Sequence, residues 1–423
     1  MNRSTPLARL RIRLSGPRTL PRLFALPRLF AIVVLCLLGC GGRALGMPGD
    51  DGHAPTPDAR PPLPDGGVPP DATVGCWPPP GQVAIHNPGE PSFVYSLDRT
   101  NGGHYVLGSS QGWGAQSARL IMLHGDTLAQ LGYIAVNAES VHARFDQWSG
   151  EVVALAEGDN EVWYQRYEII AGRDLELLDE RLLCDYCVAA WGGPVTVEAY
   201  AGAAIRDLTD NRLRVFVMGQ DEPGAVYSSE AIEGSSPQLT TAGPSLSLLY
   251  LHEQQLWEVS LDRHAETTVP NPLTVTPIQA LLGASSYSYN IIVAAALTAD
   301  AANPQLELVK LIGGAVSERV SVPAPMSFAD LGAISFSPST VGVVWGQGFG
   351  DVGAHFLAAR TQIFATIFGP ERISTAVNQS SSSYSIWAST AHHPTGHAVV
   401  WGGWHEEGHY GIYGKIIPCL GGL

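Results

Sequence analysis

The segment His405-Glu406-Glu407-Gly408-His409 carries the spacing with which metalloproteases hold zinc between two histidines beside a general-base glutamate. That chemistry needs a helix, because residues i and i+4 share a face only there. Here the segment stands between two expected strands, with Gly402 and Gly403 before it and Gly411 after it. The context predicts a polar hairpin turn and no resident metal. His392, His393 and His397 enrich the neighbourhood in imidazole. They fall in a turn at the opposite end of the same hairpin, so they should not converge with His405 and His409. They are expected to be solvated turn residues.

Two further patterns could do chemistry. Gly108-Ser109-Ser110-Gln111-Gly112 has the spacing of a nucleophile elbow, which presents its serine on a turn from strand to helix. The next residues, Ala118 to Leu123, read as another strand, so a plain Gly/Ser turn is expected. Cys184-Asp185-Tyr186-Cys187 could serve redox or zinc chemistry. A thioredoxin-type pair wants a βαβ unit and a helix N-terminus, and a four-cysteine zinc site wants a second such pair. Neither is found, and a small structural disulfide between successive repeats is expected. There is no phosphate loop and no calcium loop. No catalytic residue and no cofactor is expected.

The elements that must position these residues are strands. From Cys76 onward, short apolar, β-branched and aromatic runs alternate with turns of Gly, Pro, Asn, Asp and Ser, without a useful 3.6-residue period. This reads as all-β. A very apolar run recurs around Val106, Val153, Phe216, Leu249, Val293, Val344 and Val400, a mean step of 49 residues. Repeats of this length build four-stranded propeller blades. Continuous apolarity suits strands buried on both faces. The last repeat, Ala398-Val399-Val400-Trp401 through Ile412-Tyr413-Gly414, resembles bacterial β-propeller repeats of the "VVW…IYG" type. The resemblance implies a β-propeller, and the count of repeats predicts seven blades, with six as the alternative. No single activity comes with it.

The last repeat ends too early to hold a fourth strand, and Gln82-Val83-Ala84-Ile85-His86 has no blade of its own. These residues are expected to supply the missing strand and close the ring. Cys76 and Cys419 would then meet at one edge. Of the pairings open to the four cysteines after Cys40, we expect Cys184 with Cys187 and Cys76 with Cys419, as suits an exported protein.

The N-terminus supplies the address. Residues 1–28 hold seven arginines and no acid, and an apolar run of ten follows from Leu29. Ten residues are too few to span a bilayer, which needs roughly 20, but they make a signal peptide. Leu37-Leu38-Gly39-Cys40 resembles the bacterial lipobox. That resemblance implies cleavage after residue 39 and a lipid on Cys40. With Gly41 in the next position, it implies the outer membrane. Residues 41–75 contain eight Pro, eight Gly and five Asp, too little apolar surface to fold. They are expected to be a tether reaching roughly 30 Å as a coil. Three segments are therefore expected: signal peptide 1–39, lipidated cysteine and tether 40–75, and propeller 76–423.

From Cys40 onward, 17 basic residues face 39 acidic ones, a formal charge of −22. That excludes nucleic acid, whose phosphates need a basic surface. The expected partners are the membrane, through Cys40, and an unknown protein or glycan. Trp113, Trp404, His405 and His409 lie in turns between second and third strands. With the long connection at 348–361, they form the expected binding surface. The expected function is a non-catalytic binding or scaffold lipoprotein of the envelope. The alternative is a glycan-acting hydrolase or lyase with carboxylates in the funnel.

Overall fold

A computed structural model describes residues 74–421 apart from the connecting stretches 77–82, 87–91, 113–116, 190–192, 198–199, 220–225, 275, 289–290, 301–304, 324–330, 337–339, 347–352, 359–370, 375–384 and 405–409. The chain divides into Met1–Gly67 and Val68–Leu423. The expected signal peptide, Cys40 and most of the tether lie outside the described residues.

The described residues form seven antiparallel sheets, and no α-helix occurs among them. In each sheet the strands follow chain order and are lettered A to D. Sheet I holds Ser92–Arg99, Tyr105–Gln111, Ala118–Leu123 and Gln130–Ala135. Sheet II holds Ser140–Phe145, Val152–Gly158, Glu161–Ile170 and Asp174–Cys184. In sheet III strand A is split into Cys187–Ala189 and Val195–Val197, both paired with Tyr200–Asp207; Leu213–Gly219 and Val226–Ser228 follow. Sheet IV runs Ser235–Ala242, Ser245–His252, Gln255–Leu261 and Asn271–Pro272, and sheet V Ile278–Ser288, Ile291–Thr298, Gln305–Ile312 and Ala315–Pro323. Sheet VI runs Leu331–Phe336, Thr340–Gly346, Gly353–Ala358 and Glu371–Ser374. Sheet VII takes Ser385–His393, Gly396–Trp404 and Tyr410–Gly421 from the C-terminus. On the last of these it adds Val74–Cys76 and Val83–His86.

The turns explain why these runs form hairpins. Asp159 and Asn160 both take positive φ between Val152–Gly158 and Glu161–Ile170, as do Gly313 and Gly314 between the last two strands of sheet V. Two consecutive left-handed residues match the twist of the flanking strands.

The core is a set of layers between sheets. Val106, Leu120 and Met122 of sheet I pack on Val141, Val152 and Ala154 of sheet II. Equivalent layers join II to III, III to IV, IV to V, V to VI, VI to VII, and VII back to I. Each sheet thus buries both faces, and the last closes on the first: a β-propeller. The sheets approach closely enough to demand glycine. A Cβ on Gly108 would stand 2.3 Å from the Val141 carbonyl oxygen, and one on Gly402 would stand 2.0 Å from that of Ser92.

Several expectations are corrected. The apolar run at Phe216 is strand C of its sheet; strand B is Tyr200–Asp207, whose Ala and Gly residues give a weaker signal. Gly108 to Gln111 are part of strand B of sheet I, and Ser109 and Ser110 are buried, so the elbow pattern is a strand and not a turn. The connection at 348–361 contains a strand, Gly353–Ala358. The stretch Val83–His86 pairs with Tyr410–Gly421 at Gly414, Tyr413 and Ile412, as the closing strand should.

Candidate functional site

Strand A of each sheet lines the axis, and its C-terminal end faces one mouth. There the strands enclose a cavity of about 640 Å³ whose wall takes residues from every sheet, among them Asp98, Arg144, Thr196, Thr241, Ser285, Phe336 and His392. A constriction beneath it is lined by Ser96, Gln238, Gly283 and Ser389, with Arg144 touching both levels. Gln147 and Trp148, from the turn between strands A and B of sheet II, complete the rim.

Asp98 is fixed by backbone. Its Oδ1 accepts the Arg99 amide at 3.0 Å and its Oδ2 the Phe145 amide at 2.9 Å. Burial pushes its carboxyl up, against the pull of Arg144. Ser96 Oγ accepts the Ala143 amide at 2.7 Å. The free edge of strand A in sheet II is thereby capped by sheet I. Ser96→Ala leaves the buried Ala143 N–H without an acceptor and should cost about 1–3 kcal/mol. Urea unfolding checks this, and a loss below about 0.5 kcal/mol would refute it.

Arg144 differs. Among the described residues, no hydrogen bond or ion pair within 4 Å engages its guanidinium. Thr196, Thr240, Thr241 and Ser285 likewise have hydroxyls with no partner among the described residues. His392 donates from Nδ1 to the Phe336 carbonyl at 3.0 Å. Burial, and then the Arg99 charge, hold it below the ordinary imidazole range, so Nε2 is left as an acceptor. Among the described residues, Asp98 is the single carboxylate in the wall. Two carboxylates at glycosidase spacing are not supplied by the described lining.

Of the residues expected to form the site, none is in the described lining of this cavity. Trp113, His405 and His409 lie outside the described residues. Trp404 ends strand B of sheet VII, in register with Tyr410, at the end where strands B and C connect. That is the face opposite the wide mouth. The histidines expected to be solvated are not. His397 is fully buried, held between Ser335 Oγ on Nδ1 and Thr340 Oγ1 on Nε2, both at 2.7 Å. His393 is buried as well, and His392 is half-buried in the cavity wall. The reason is the long first hairpin of sheet VII, which carries His392 and His397 into contact with sheet VI. Cys184 and Cys187 form a disulfide from the end of sheet II to the start of sheet III. Among the described residues, no three His, Cys, Asp or Glu side chains gather to hold a metal. Trp401 is buried in the layer between sheets VI and VII.

Sequence reasoning missed Asp98, Arg144 and the hydroxyls because it weighed strand B. A charge in the middle of a β run, Asp98 in Ser-Leu-Asp-Arg and Arg144 in Ala-Arg-Phe-Asp, was the available signal.

No protein-family model matches the chain, and no curated protein matches it. Solved structures do. The chain is similar to the WD40 domain of Toxoplasma gondii coronin, at 10% identity and a TM-score of 0.52, over 81% of this chain and 85% of that one. It is also similar to a chain of a mitotic checkpoint complex, at 11% identity and a TM-score of 0.50, over 89% and 99%. At such identities the likeness speaks to fold alone: a WD40-like β-propeller.

Proposed function

We propose that this chain is a lipid-anchored envelope protein whose seven sheets act as seven blades of a non-catalytic recognition module. It presents the cavity mouth to a protein or glycan. The carrying observation is the cavity itself. It is open to one face, and among the described residues its wall carries the Thr196, Thr240, Thr241 and Ser285 hydroxyls without hydrogen-bond partners, one arginine outside ion-pair distance and one carboxylate. Such walls bind by hydrogen bonding and shape, and among the described residues the carboxylate pair that a glycosidase uses is not supplied. The lipobox resemblance at Leu37-Leu38-Gly39-Cys40 supports the anchor, and two or more acyl chains give stable anchoring. We further propose that Cys76 and Cys419 are joined.

Two experiments test this reading. Metabolic labelling with a radioactive fatty acid should mark the full chain and should vanish in Cys40→Ala; label that survives the substitution sinks the anchor. A glycan array and an envelope pull-down should find a ligand that leaves intact. Turnover of a retained glycan would make the protein an enzyme and overturn the recognition reading.

A further inference from the structure

The cavity's chemistry narrows the class of ligand. Arg144 presents five N–H donors in a planar fork, it stands where the chamber meets the constriction, and no described residue pairs with it. A cation held in a partly enclosed wall favours an anion, and a guanidinium matches the two oxygens of a carboxylate. Asp98 feels the Arg144 charge but stands outside ion-pair distance of it, its two oxygens being held by backbone amides. Around this one cation stand the hydroxyls of Thr196, Thr240, Thr241 and Ser285 and the accepting Nε2 of His392. Hydroxyls both donate and accept, which suits a polyhydroxylated ring. Trp148 is 65% exposed on the rim and offers a flat apolar face to such a ring. About 640 Å³ lies within the size of small-ligand sites. A doubly charged phosphate would meet one guanidinium and the Asp98 carboxylate together, and the chain's excess of acid disfavours polyanions. A singly charged ligand fits better.

Resting on the recognition reading above, we propose that the axial cavity binds a uronate: the sugar carboxylate sits on Arg144, the ring hydroxyls on the threonine and serine hydroxyls, and the ring face on Trp148. The site is then a reader of acidic glycan ends.

The test is calorimetric titration of the full chain with a disaccharide ending in a single galacturonate and with one ending in a single glucuronate, each against its methyl ester. The ester keeps the shape and loses the charge. Wild-type protein should bind the acids about 10- to 100-fold more tightly than the esters. Arg144→Gln should bring the acids down to the level of the esters. Equal binding of acid and ester overturns the proposal, as does undiminished acid binding by Arg144→Gln or no binding at millimolar acid. If Arg144→Gln fails to fold, the wild-type comparison of acid with ester decides alone, together with the loss of acid binding as salt is raised. Failure here leaves a separate trace from failure of the recognition reading. In the first case the array or pull-down still yields a retained ligand without uronate; in the second it yields none, or a glycan that is turned over.

Discussion

Replacing His397 by glutamine is expected to make the protein less stable at pH 7.5 by about 1–3 kcal/mol, since Ser335 and Thr340 lose shared partners in a buried setting. The gap should shrink as the pH falls. Burial first, and then the neighbouring His392 and His393, push the His397 imidazole down to about 3 from its ordinary 6.5. The folded chain therefore refuses a proton that the unfolded chain accepts. The stability that neutral His397 contributes is complete above about pH 6.5 and drains away at about 1.4 kcal/mol per pH unit below it. By pH 4.5 roughly 2–3 kcal/mol is gone, and glutamine, which does not titrate, is spared that loss. His142, pushed down to about 4 by burial and then by Arg144, acts in the same direction. Glu157 opposes them. Burial raises it to about 7, so it adds stability as the pH falls from 7 towards 4.5. The whole-protein curve mixes these signs, so the measurement is the difference between wild type and His397→Gln in urea at several pH values. Parallel curves would disprove the argument.

That residue also shows where reading the sequence stops. The apolar strand around Val400 was legible, and so was the turn region in which His397 was expected. The burial of His397 was not, because Ser335 and Thr340 lie about sixty residues earlier and meet it only across two sheets. Six of the seven B strands, all but Tyr200–Asp207, declared themselves because burial on both faces demands unbroken apolarity. Val152, Val153, Ala154 and Leu155 are all buried. The A strands face the axis on one side, and so lack that signature. Strand A of sheet IV reads Ser-Ser-Pro-Gln-Leu-Thr-Thr-Ala and carries a register shift after Ser235. Nothing in its composition calls for a strand.

The candidate site was hidden for the same reason. Asp98, Arg144, Thr196, Thr241 and Ser285 come from five A strands spaced roughly a blade apart, and no short motif can hold them. The compact patterns at residues 108–112 and 405–409 drew attention because their residues are adjacent in sequence. A propeller builds its axis from residues far apart in sequence, so adjacency there carries little meaning. The disulfide of Cys184 with Cys187 is the exception. It is local, and context alone separated it from redox or zinc chemistry.

Ring closure gives the largest effect. Val74–Cys76 pairs antiparallel with the C-terminal strand, Val74 opposite Gly421, Gly75 opposite Leu420 and Cys76 opposite Cys419. Cys419 is disulfide-bonded, and its cross-strand neighbour is the cysteine in position to be its partner. A bridge there closes a loop of more than 300 residues and restrains the unfolded chain by about 5 kcal/mol. The double change Cys76→Ser with Cys419→Ser should therefore remove about that much stability, and lower Tm by roughly 10 °C at about 2 °C per kcal/mol. Non-reducing peptide mapping should recover the two cysteine peptides joined. A free Cys76, a Cys76 joined to Cys184, or a double variant within 1 kcal/mol of wild type would each defeat the argument. The bridge also matters mechanically. In the proposed anchored form, any pull on Cys40 reaches the propeller through Val74–Cys76. Three backbone pairs with Tyr410–Gly421 would open one after another, whereas a covalent tie passes the load to the C-terminal strand and its buried Trp401–Tyr413 neighbours. The same variant should accordingly unfold at lower force when pulled from its N-terminus, and by more than its lost equilibrium stability alone would give when pulled through the internal strands.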